Sequence, residues 1–167
     1  MVKQSSVIDR PPLYLPATGR EQLILGATGL GAGLAVYLLA QVVNRYLLVP
    51  LFCRSADSYG ICANSSSVAF GVATVLVLVL ATAVLARFMI YRPLLIAVAA
   101  AATLWSVLAV LAGLSVAGTP VEQIVWLMAL YAIAYLLFGW LFSLRNFVIS
   151  LLVALVVVVG LRLLLVS

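Results

Sequence analysis

The chain has no histidine and only four acidic residues in 167 positions. Without histidine it lacks the commonest metal ligand and the side chain that usually serves as general base near neutral pH. Charged residues of both signs make up 8% of the sequence, against roughly 25% in an ordinary globular domain. That is too little polar surface to coat a water-soluble particle of this length. No acid falls in the middle of an apolar run, and no histidine or lysine falls in one at all. Proton-driven pumps and intramembrane hydrolases normally need such groups. The pattern also offers no nucleophile–base pair and no metal-ligand cluster, so no metal site is expected.

What is present is apolar. Hydrophobic residues reach 67%, and the mean hydropathy is +1.33. Lipid must therefore be the solvent for most of the chain. Five apolar runs stand out, at 23–48, 68–86, 94–116, 122–144 and 147–166, each near the ~20 residues that carry a helix across a ~30 Å hydrocarbon core. The expectation is an all-α protein, a polytopic transmembrane bundle of about five helices forming one domain over 19–167. Residues 1–18, MVKQSSVIDRPPLYLPAT, form a polar arm with three prolines. The arm lacks the apolar core and small-residue cleavage site of a secretory signal and reads as a disordered or membrane-surface segment.

Local punctuation supports these boundaries. Thr18 and Glu21 have capping-box spacing at the start of the first run, and Pro50 marks its end. Arg87 and Arg92 bracket a short connection, and Pro93 suits the first turn of the third helix. Gly118-Thr119-Pro120-Val121-Glu122 reads as a stop followed by a capped start, which accounts for Glu122 without any proton-coupling role. Arg145-Asn146 is the whole of the last break, which leaves open a single bent helix across it.

The nine cations set an orientation. Five crossings would place Lys3, Arg10, Arg20, Arg87, Arg92 and Arg145 on one side, and Arg45, Arg54 and Arg162 on the other. The positive-inside rule then puts the N-terminus in the cytoplasm, with the Cys53–Cys62 loop and the C-terminus outside. The pI near 9.6 would elsewhere suggest nucleic acid. Here the cations are scattered at the ends of apolar runs, as topology and anionic headgroups require, and no nucleic-acid partner is expected.

Four groups of residues are candidates for function. Cys53 and Cys62 are the only cysteines and share one loop on the side expected to be oxidising. They form a structural disulfide, stay as two thiols, or act as a redox pair. Together with Ser65, Ser66 and Ser67 after the first helix, the pair resembles the vitamin K epoxide reductase family over about fifteen residues. That resemblance implies thiol–disulfide exchange. The family also uses a C-x-x-C pair at the membrane surface, and this chain has no third or fourth cysteine, so electrons from the loop pair have no acceptor within it.

The segment GATGLGAGL carries Gly26, Gly29, Gly31 and Gly33. A dinucleotide fingerprint must follow a strand, whereas this segment lies inside a membrane helix, and no cofactor is expected. Gly26, Gly29 and Gly33 instead suit close helix packing, with Gly29 and Gly33 in a G-x-x-x-G pair and Ala27 and Gly31 in a parallel one. Tyr37, Gln41, Asn44 and Arg45 form a polar stripe near the outer end of the same helix. Their spacing suits one face that bonds to another helix, binds a solute or lines a path. In the fourth run Tyr131, Tyr135, Phe138 and Phe142 share a face, flanked by Trp126 and Trp140 at interface positions. Such a face packs against neighbours or receives a lipid or flat ligand.

The leading expectation is a non-enzymatic helix-packing or accessory subunit. Its partners are the lipid bilayer and either a second copy or another membrane protein. The alternatives are an oligomeric channel or small-solute carrier lined by the polar face of the first helix, and a thiol–disulfide module using Cys53 and Cys62.

Overall fold

The computed structural model describes residues 19–53, 62, 65–90, 92–113, 119–143 and 147–166. The polar arm and the proposed Thr18 cap lie outside the described residues. The described chain is all helical. We number five helices in chain order: α1 (Gly19–Phe52), α2 (Ser65–Arg87), α3 (Pro93–Gly113), α4 (Pro120–Phe142) and α5 (Phe147–Val166). Three of them, α1, α2 and α4, are long and apolar enough to cross a membrane.

The helix ends follow from local chemistry. At the start of α4 the Thr119 hydroxyl accepts from the Glu122 N–H, and Glu122 Oε2 accepts from the Thr119 N–H at 3.0 Å. This is the capping box expected from the sequence. The end of α2 closes with a Schellman motif. The Ile90 N–H donates to Leu85 O (3.2 Å) and the Met89 N–H to Ala86 O (3.0 Å). Leu85 and Ile90, the apolar pair that accompanies this motif, are both buried. The left-handed position falls on Met89, with φ of 55°, where glycine is usual. Arg92, before Pro93, also takes a positive φ of 56°.

Helix α4 ends at Phe142 and α5 begins at Phe147 as a separate helix; Arg145 and Asn146 lie outside the described residues. The Ser143 hydroxyl donates to Trp140 O (2.6 Å) at the end of α4. Ser150, in the second turn of α5 and fully buried, donates across to Leu141 O (3.1 Å). A last-turn carbonyl of α4 is thus satisfied by the next helix, which a single bent helix would not allow.

Helix α1 differs from the reading that ended it at Pro50. Val43–Leu48 forms a π-helical turn, and the helix continues through Val49–Phe52. The Val49 N–H donates to Asn44 O, five residues back. Proline within a helix removes one N–H and pushes its ring into the carbonyl four residues before it. A locally widened turn just ahead of Pro50 accommodates that ring, so the helix passes through.

In lipid, apolar helices gain little from excluding solvent, and packing, hydrogen bonds and close backbone approach decide their association. Here α1, α2, α3 and α4 each pack on the next, α4 returns to α1, and α5 lies outside this ring against α3 and α4. Helix α2 packs on both α1 and α3 and buries a row of residues four apart: Ala69, Ala73, Val77, Ala81 and Leu85. The remaining interior is filled by large side chains, notably Tyr135, Phe138, Phe142, Ile96 and Val36. Thr74, Thr82 and Thr103 return their hydroxyls to carbonyls three or four residues earlier on their own helices. None of them therefore leaves an unmet donor among apolar neighbours.

Candidate functional site

The α1–α4 contact sets the register of the molecule. A Cβ added at Gly29 would lie 2.6 Å from the Ala132 Cα and 2.8 Å from Tyr131 O. One added at Gly33 would lie 2.7 Å from both Leu127 O and the Met128 Cα. Both glycines therefore rest directly on the backbone of α4. As the α1 number rises the α4 number falls, so the two helices run antiparallel. Continued at equal rise, this register brings Gln41 level with Pro120, the first residue of α4. Beyond that level α1 extends for about 16 Å at 1.5 Å per residue, exposing Tyr46, Leu47, Val49, Leu51 and Phe52.

The glycines of α1 divide into different environments. Gly26 faces the Leu136 side chain at an ordinary 3.9 Å, and Gly31 has nothing within 4 Å. Ala27, next to Gly31 on the same face, is exposed as well. The contact also contains a glycine that sequence reasoning passed over. A Cβ at Gly139 would run into the Leu25 side chain. The available signal was the seven-residue interval between Ala132 and Gly139, two turns on one face of α4.

The polar stripe of α1 is divided. Tyr37 is buried and Asn44 half-buried, whereas Gln41 and Arg45 are exposed. Asn44 Oδ1 is buried with no hydrogen-bond partner among the described residues. Asn44 and Arg45 lie within the π turn, which alters the angular step between residues. The four-residue spacing that aligns side chains on a regular helix no longer holds across it.

The aromatic face of α4 turns inward. Tyr131, Tyr135, Phe138 and Phe142 are each at most 2% exposed. The Phe138 and Phe142 rings lie 6.3 Å apart at 30°. The Tyr131 hydroxyl approaches Thr74 on α2 but is buried without a hydrogen bond of acceptable geometry. Trp126 and Trp140 stay exposed near opposite ends of α4, as interface anchors do.

Cys53 and Cys62 are joined as a disulfide, with their Cα atoms 5.3 Å apart. The Cys53 N–H donates to Val49 O (3.1 Å), so the bridge starts from the last turn of α1. Cys62 lies three residues before Ser65, where α2 starts. The bond therefore staples the end of α1 to the beginning of α2.

Comparison of this chain with protein-family models, with curated proteins and with solved structures finds no match.

Proposed function

We propose that this chain is a non-enzymatic helix-packing subunit of a membrane assembly, built either with further copies of itself or with another membrane protein. One contrast on α1 carries the reading. Its inward face is committed to α4 through Gly29 and Gly33, while Ala27, Gly31 and Gln41 on the outward face are exposed, with no partner among the described residues. Small residues that admit a neighbouring backbone, with an amide that can bond across helices, are what association in lipid uses. The exposed positions of α5 between Val148 and Val159 are by contrast all aliphatic, as a surface against lipid tails should be. The filled interior also supports a packing role.

In this reading all five helices cross the bilayer. The N-terminus is cytoplasmic, and the disulfide loop and C-terminus are outside. The test is purification in a mild detergent with the mass of the particle read by light scattering. A particle heavier than one chain is expected. Gly31→Leu should reduce it to a single folded chain, because Gly31 faces open space and the bundle itself has room for the side chain. A wild-type chain that runs alone, or an assembly indifferent to Gly31→Leu, would remove the basis for the proposal.

A further inference from the structure

A groove of about 570 Å³ opens on the outer surface of α2 beside α3. Its floor is two adjacent rows of α2, Ser67, Gly71 and Val75 in one and Val68, Val72 and Leu76 in the other, and Trp105 of α3 forms its wall. Gly71 makes the depression possible. A Cβ there would lie 2.6 Å from the Trp105 ring, so the ring rests against the α2 backbone while remaining 53% exposed.

Three features of this groove select its occupant. It runs along the α2 axis, parallel to the direction of lipid tails around a membrane-spanning helix. It extends from Ser67 near the helix start to Leu76 at the helix midpoint, about 14 Å at 1.5 Å per residue. One leaflet contributes half of a ~30 Å hydrocarbon core, so the groove is one leaflet deep. Its surface is almost wholly apolar, and the one hydroxyl among its described lining residues, that of Ser67, stands at the end nearest the headgroups. A whole helix is ~10 Å across, too wide for a slot one glycine deep. We propose that this groove seats a single acyl chain of a lipid in the leaflet that meets the N-terminal end of α2, with its polar end at Ser67.

The test is native mass spectrometry of the full chain after exchange into a delipidating detergent, with 1-palmitoyl-lysophosphatidylcholine or palmitate added back. The wild type should retain one molecule of probe per chain. Val75→Phe and Val72→Phe extend from exposed positions into the open side of the groove and should abolish that adduct. Val156→Phe, on the lipid-facing side of α5, should leave it intact. Trp105→Ala removes the wall without adding bulk and should also lose the adduct, which covers the case in which the phenylalanine variants misfold. Retention of both probes means that the chain alone is recognised. Retention of lysophosphatidylcholine only means that the headgroup at Ser67 contributes. The proposal is overturned by a wild type without adduct, by equal loss in Val156→Phe, or by an adduct-free oligomer that Val75→Phe dissociates, since a second copy would then fill the groove.

Discussion

Gly26, Gly29, Gly31 and Gly33 occupy four positions within eight residues of one helix, and substitution to alanine should separate them sharply. At Gly29 and Gly33 the new Cβ would stand 2.6–2.7 Å from backbone atoms of α4. Those atoms cannot rotate away as a side chain can. To reach about 3.4 Å the helices must part by about 0.7–0.8 Å, and a radial gap of that size forfeits a quarter to a half of each dispersion contact along the seam. Overpacking of this kind costs about 1–3 kcal/mol, which exceeds the roughly 0.5–1 kcal/mol that alanine gains over glycine inside a helix. The expected outcome is a loss of about 1–2 kcal/mol at each site. Gly31→Ala meets nothing within 4 Å and Gly26→Ala only a side chain at 3.9 Å, so these two should be neutral or slightly stabilising. The Gly29→Ala, Gly33→Ala double variant should lose less than the sum of the single losses, because one displacement of α1 relieves both contacts. Reversible unfolding in mixed detergent and dodecyl sulfate micelles, followed by far-ultraviolet circular dichroism, measures all five variants. Equal tolerance at the four positions, or a loss at Gly31 matching that at Gly29, would refute the α1–α4 seam.

Met89→Gly should stabilise the fold by about 0.5–1 kcal/mol in the same assay, since a left-handed residue costs roughly 1–2 kcal/mol and the 91%-exposed Met89 side chain contributes little packing; Met89→Ala should leave stability unchanged. The Cys53→Ser, Cys62→Ser double variant should lose about 2–3 kcal/mol through a less restrained unfolded loop while keeping its helical content. The native disulfide should persist in a glutathione buffer when followed by non-reducing mass spectrometry; ready equilibration would mark a redox pair instead. A reporter fused to the N-terminus should be cytoplasmic and one fused after Ser167 external; both on one side would mean an even number of crossings.

Much of the fold was legible because helix boundaries are local. Thr119, Pro120 and Glu122 announce the start of α4 within four residues, and Pro93 does the same for α3. The disulfide was an open choice among three states, since loop spacing permits a bond without requiring one. Where sequence reasoning went astray, a neighbour or an irregular turn had the deciding effect. Pro50 ordinarily ends a helix, but the π turn over Val43–Leu48 absorbs its ring. That same turn shifts Arg45 off the face of the buried Tyr37, whereas Gln41, on the regular helix before it, is exposed at the level where α4 begins.

The sequence by itself determined that lipid is the solvent, that the chain is helical, and roughly where each helix begins and ends. These follow from composition and from bonds between residues a few positions apart. Which face of each helix meets a neighbour was decided only by the tertiary structure. In water the buried face of a helix is apolar and the exposed face polar, so the pattern itself reveals the inside. In a bilayer both faces are apolar, and a glycine pressed against α4, such as Gly29, has the same local signature as Gly31 two residues later, which faces open space. Only the position of the opposing backbone distinguishes them.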